Sequence, residues 1–244
     1  MNLTDGSRSD AGRRAIRTYV LRGGRVTKLQ QRALDTLSNR FVISPSKDPA
    51  DIDVFGERPV VAEIGFGTGL ATAMIARDHP ETGYLGIEVF RAGVGKLLSE
   101  IERLGLSNVR IVNHDANDVM RDMVAPGSLH AVHLFFPDPW PKKRHNKRRI
   151  VQPSFVSVVA SRLCIGGYFY AVTDWPEYAD RMREVIGGNA SFYEEPGRSA
   201  THSDRRPVTR FEARAVSQGR EVHELFFRLR RSDVSQQPLR PSPP

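Results

Sequence analysis

At 244 residues, with 39% hydrophobic and 26% charged side chains, the chain has the length for one large or two small domains and the apolar content for a packed core. Lys+Arg 36 against Asp+Glu 28 leaves a formal charge of +8, the balance of a protein that meets nucleic acid. The single cysteine, Cys164, excludes a disulfide framework and a cysteine-based zinc site, and no apolar run approaches the roughly 18 residues of a membrane helix.

Residues 1–14 are polar and aperiodic, and read as a disordered basic N-terminus. Residues 15–58 read as an N-terminal extension ending in a Pro-, Asp- and Gly-containing linker at 45–58. Residues 59–231 form the expected main domain, and 232–244, rich in Pro and Ser, a disordered tail. No apolar stretch closed by a cleavage site occurs in the first thirty residues, so a cytoplasmic, reducing location is expected.

The run at 60–64, closed by glycines, predicts a buried strand, and 70–78 a helix. Further strands are expected at 84–89, 109–112, 129–136 and 168–172, with helices at 94–104, 149–163 and 176–187. Alternating strands and helices imply right-handed crossovers and a parallel sheet with helices on both faces. Two strand-like runs, 208–216 and 222–229, flank Ser217-Gln218-Gly219-Arg220 and predict an antiparallel hairpin. The expected architecture is α/β: a mostly parallel, seven-stranded sheet ending in that hairpin. Cys164 lies in an apolar stretch and reads as core, and the histidines show no metal-ligand spacing.

The segment EIGFGTG at 63–69 joins the first strand to the first helix. A dinucleotide fingerprint places its third glycine sixth. Here Gly65, Gly67 and Gly69 put it fifth, and Leu70 takes the sixth place. Glu63 would repel a phosphate and attract a cation. Glu88 closes the second strand at the spacing where a carboxylate accepts ribose hydroxyls. A ribose, a positive charge and no phosphate describe S-adenosylmethionine; a glycine-rich turn with no ligand is the other reading. Asp115, after the third strand, falls near the adenine edge or caps the stretch that follows.

FFPDPWPKKRHNKRRIVQ, residues 135–152, follows the fourth strand at the edge where open α/β sheets bind ligands. Pro137, Pro139 and Pro141 stiffen the backbone around Asp138 and Trp140, and Trp140 offers a flat face to a base. Six Lys/Arg between Lys142 and Arg149 then suggest a phosphate-binding patch, with a solvated charge face as the alternative.

EIGFGTG, FPDPWPKKRHNKRRIVQ, TDW (173–175), TRFE (209–212) and IRTYVLRGGRVTKLQQRAL (16–34) together resemble the bacterial tRNA (guanine-N7)-methyltransferase family over roughly residues 16–230. The glycine loop is generic to class I methyltransferases; the PDPWPKKRH run is specific. The resemblance implies a Rossmann-like class I fold and methyl transfer from S-adenosylmethionine to N7 of the variable-loop guanosine at tRNA position 46. Carried over residue by residue, it implies Glu63, Glu88 and Asp115 as cofactor-binding acids beside Gly65, Gly67 and Gly69. It implies Asp138 as the active-site aspartate, also near the cofactor, and Lys142, Asp174, Thr209, Arg210, Phe211 and Glu212 as substrate contacts, with no metal. Asp174 also reads as a cap for the helix at 176–187. Arg210 stands where the family often has lysine, and His114 where it often has glycine. Arg13, Arg14, Arg17, Arg22, Arg25 and Lys28 are expected to wrap tRNA backbone, with the enzyme a monomer or homodimer. The competing readings are a methyltransferase for an exocyclic base amine and an RNA-binding protein with a degenerate cofactor site. The first would carry a second proline between Asp138-Pro139 and the aromatic residue.

Overall fold

The computed structural model describes residues 17–19, 24–48, 53–195, 197–198 and 206–230. The disordered termini expected at 1–14 and 232–244, with Arg13, Arg14 and Arg22, lie outside the described residues.

The first helix, α1 (Lys28–Phe41), starts at a capping box: Thr27 and Gln30 each bond the other's backbone N–H. It runs directly into a two-residue strand, β1 (Val42–Ile43). Then follow β2 (Val60–Ile64), α2 (Leu70–Asp78), β3 (Gly83–Ile87), α3 (Arg91–Leu104), β4 (Val109–Val112) and a short helical turn, α4 (Ala116–Asp118). Next come β5 (Leu129–Phe135), a 3-10 segment at Lys143–Arg148, α5 (Pro153–Arg162), β6 (Leu163–Thr173) and α6 (Pro176–Gly187). The chain closes with β7 (Phe192–Glu194), α7 (Arg210–Ser217) and β8 (His223–Leu229).

The sheet has eight strands in the order β1-β4-β3-β2-β5-β6-β8-β7. The expected seven misses β1, which is too short to carry a pattern yet pairs with β4 through Val42↔Ile111 and Ile43↔Val112. Six strands are parallel; β8 runs antiparallel to both β6 and β7. The expected hairpin is therefore corrected in one half. Residues 210–217 are helix α7, not strand, and β7 takes the place beside β8. The helix at 149–163 is likewise shortened, because Pro153 at its first turn sets a later start.

Chain order reverses at β2, with β3 and β4 to one side and β5 and β6 to the other. The crevice beyond the carboxyl ends of β2, β3 and β5 is the topological switch point. Register aligns these ends: Ile64 pairs with both Ile87 and Leu134, and Glu63 lies between Gly86 and His133. β3 is buried along its whole length, as a strand covered on both faces must be. Tyr84 joins the core under α1, α2 and α3, while the next residue, Leu85, joins the core under α5 and α6. Cys164 is half-buried at the start of β6 rather than in either core.

Candidate active site

A cavity of about 660 Å³ opens at the switch point, within the ~300–1,000 Å³ of small-molecule sites. The β2–α2 loop forms one wall. Gly65 and Gly67 sit at φ +71° and +61°, where side-chain-bearing residues are strained, and an added Cβ at either would meet nothing within 4 Å. Both line the cavity; Gly69 does not. Its role is packing, since a Cβ there would lie 2.6 Å from Leu97 on α3. α3 answers with Gly93, whose absent Cβ would stand 2.0 Å from the Gly67 carbonyl oxygen.

Two carboxylates face this loop. Glu63 is buried, lines the cavity and accepts the Thr72 hydroxyl at 2.8 Å. Burial pushes its carboxyl up to about 7 against the opposing pull of the Thr72 bond. Glu88 accepts the Gly67 N–H at 2.9 Å with one oxygen, and the Val89 and Phe90 N–H groups at 2.8 and 3.0 Å with the other. These bonds use about three of a carboxylate's four acceptor positions and fix its plane, leaving one toward the cavity. Burial raises its pKa while the backbone donors hold it down. Asp115 is placed differently. Its carboxylate caps α4 by accepting the Asn117 N–H at 2.8 Å, and only its neighbours His114 and Ala116 line the cavity.

Asp138 is exposed and lines the opposite wall, after β5. Its loop runs between Phe136 (φ +50°) and Trp140 (φ +45°), two left-handed non-glycine residues that persist only where surrounding contacts determine them. Arg149 supplies such contacts. It is buried, donates to the Pro139 carbonyl at 2.8 Å, forms a two-pronged pair with Glu177 at 3.1 Å on each arm, and lies over the Tyr178 ring. Arg148 also turns inward, with its guanidinium 3.9 Å from the centre of the Trp140 ring. The expected six-residue phosphate patch therefore reduces to the exposed Lys142, Lys143, Arg144 and Lys147. The face expected of Trp140 for a base carries Arg148 instead.

Of the remaining candidates, Thr209 and Phe211 line the cavity. Phe211 is 63% exposed, and its ring lies nearly parallel to that of Phe136, 6.4 Å away. Thr209 caps α7 in a capping box with Glu212, so these residues open a helix rather than a strand, and Arg210 is its first residue. Glu212 pairs with the buried Arg206 at 2.7 and 2.9 Å and does not line the cavity. Asp174 pairs with Arg220 at the end of β6, and the helix cap of α6 is Trp175. Lys142 leads into the 3-10 segment outside the cavity wall.

A family model described as "Putative methyltransferase" matches residues 57–225. The chain is 47% identical over 215 residues to a tRNA (guanine-N(7)-)-methyltransferase of Bordetella pertussis, covering 87% of this chain and 85% of the relative. The corresponding enzyme of Alkalilimnicola ehrlichii is 47% identical over 230 residues, covering 91% and 97%. The chain belongs to the tRNA (guanine-N(7)-)-methyltransferase family.

Solved structures add the fold. The 16S rRNA methyltransferase KamB matches with TM-score 0.51 at 15% identity, over 86% of this chain and 99% of that one. An antibiotic-related methyltransferase matches with TM-score 0.50 at 18%, over 75% and 92%. This methyltransferase takes S-adenosylmethionine as its donor. The open glycine loop, the buried Glu63 and the remaining acceptor of Glu88 fit a cationic nucleoside.

Arg149 and Arg206 are the site residues that sequence reasoning missed. Arg149 was legible only as one more basic residue in a run. Arg206, which also contacts Glu224 at 3.2 Å and lies over Phe135 and Phe136, sits in a polar stretch that carries no signal.

Proposed function

We propose that this cavity carries methyl transfer from S-adenosylmethionine to N7 of a guanosine in tRNA, the variable-loop guanosine at position 46. The observation that carries the reading is the meeting of Glu63, Glu88 and Asp138 around one cavity, with four exposed cations on the chain just beyond it. S-adenosylmethionine supplies an electrophilic methyl group on a sulfonium. Glu63 and Glu88 favour that cation, and the glycine loop gives it close backbone approach.

Guanine N7 carries an in-plane lone pair and no proton. It attacks the methyl carbon directly, the carbon–sulfur bond breaks, and no general base is needed. Positive charge leaves sulfur and appears on the guanine ring. Asp138 stands where a fixed carboxylate would favour that new charge, or accept from the guanine N1/N2 edge, more in the transition state than before it. The loop anchored by Arg149 pre-positions it. Lys142, Lys143, Arg144 and Lys147 hold RNA phosphates. Thr209 and Phe211 meet the incoming nucleotide. A tRNA substrate supports a cytoplasmic location; separately, among the described residues no helix is long and apolar enough to cross a membrane.

The test is to incubate the protein with labelled donor and unmodified tRNA and map the product. Label in a nucleoside that breaks after borohydride and aniline is the expected result. Label on an exocyclic amine would overturn the assignment.

A further inference from the structure

Thr18 and Tyr19 line the same cavity as Glu63, Glu88 and Asp138, although they lie more than a hundred residues from Asp138 in sequence. Residues 17–19 belong to no helix or strand, so their carbonyls need partners from elsewhere. Three donors supply them. The Trp140 indole N–H reaches the Thr18 carbonyl at 3.2 Å, and Arg148 reaches the Arg17 and Tyr19 carbonyls at 3.1 and 3.2 Å. The two donor residues act as one unit, because the Arg148 guanidinium rests on the Trp140 ring. His145 packs edge-on against the same ring, 5.8 Å away. Burial and then the charge of Asp115 raise the Tyr19 phenol above its usual range.

We infer that Trp140 and Arg148 are positioning residues that hold residues 17–19 as a wall of the donor cavity. Their loss weakens donor binding and leaves the grip on RNA unchanged. An aromatic residue and an arginine in a basic loop are ordinarily assigned to a base and a phosphate, but here both sets of donors already serve backbone carbonyls. The clasp also ties the strap to the Asp138 loop, since Trp140 is two residues from Asp138. The inference rests on the cavity being the donor site.

The experiment measures S-adenosylmethionine affinity by calorimetry, without RNA, on the full chain and its variants. Trp140→Phe keeps the ring under Arg148 and removes only the N–H; Arg148→Lys keeps the charge and loses the two-carbonyl clasp. Each is expected to weaken donor binding about five- to tenfold, the effect of one or two lost hydrogen bonds. tRNA affinity and its salt dependence should stay at the wild-type value. Lys147→Ala should do the reverse, leaving donor affinity intact and lowering the salt slope by about one unit. Because the clasp acts through the strap, Trp140→Phe and Tyr19→Ala should combine to less than the product of their separate effects. Wild-type donor affinity in both Trp140→Phe and Arg148→Lys overturns the inference, as does an Arg148→Lys effect confined to the salt slope. Melting curves identify any variant that does not fold, and the conservative Arg148→Lys then carries the test. Glu88→Ala tests the underlying site separately: if it binds donor normally, the cavity assignment fails, whatever the clasp variants do.

Discussion

Glu63 is the residue where chemistry and burial pull hardest against each other. A carboxyl titrating at about 7 is largely neutral at pH 6 and largely charged at pH 8. For the protein alone, the sign is that of a raised acid. Its contribution to stability is complete below about 4.5 and is lost as pH rises through about 7. For the cationic donor the sign reverses, because the donor favours the ionised form. Donor affinity should therefore rise about tenfold from pH 6 to pH 8, and Glu63→Gln should remove that component of the pH dependence. Calorimetry at three pH values checks this, and a slope unchanged in Glu63→Gln would refute it. Glu63, Glu88 and Asp138 stood out in the sequence because each follows or ends a predicted strand, Glu63 before the glycine loop, Glu88 at a fixed spacing after it and Asp138 between two prolines, and all three line the cavity. For Asp115 the sequence offered both a cap and an adenine-edge acid, because a capping aspartate and a binding aspartate occupy the same place in a sequence, and the structure shows the cap of α4.

At the scale of elements, the instructive region is 206–217. The run VTRFEARAV alternates well enough to pass for a strand, yet Thr209 and Glu212 form the capping box that starts α7. The S/T-x-x-E signature was the available signal, and the alternating pattern masked it. Tertiary context then decides the outcome, because Glu212 is also the partner of buried Arg206, which bridges to Glu224 on β8. Arg206→Ala should leave two carboxylates facing a buried space without their cation and destabilise the protein by about 3–5 kcal/mol. Thr209→Ala removes only the cap and should cost about 1 kcal/mol. Urea unfolding with unchanged m-values separates the two. Equal losses would contradict the role given to Arg206. β1 escaped for a different reason: two residues carry no periodicity, and only the register with β4 defines it.

Across the whole molecule, the mostly parallel sheet, its helices on both faces and its ligand-binding edge were legible because buried strands and amphipathic helices alternate with a clear period, whereas the strand order and the switch point come from the structure. The charge of +8 was also legible, but not its distribution. Two of the six cations after Trp140 face inward, and four are exposed, the set proposed to meet RNA. The salt dependence of tRNA binding should accordingly fall by about one unit of slope for Lys143→Ala and about two for Lys143→Ala with Lys147→Ala. Filter binding across a salt series checks this, and slopes equal to wild type would move the RNA footprint elsewhere.

Asp138 is proposed to act on the transfer of methyl to N7 itself. The direct measurement is the single-turnover rate of product formation by Asp138→Ala, with the methylated nucleoside identified. The expected result is near-normal donor binding, the same N7 product, and a rate lower by on the order of 10²–10³. A rate close to wild type would contradict it.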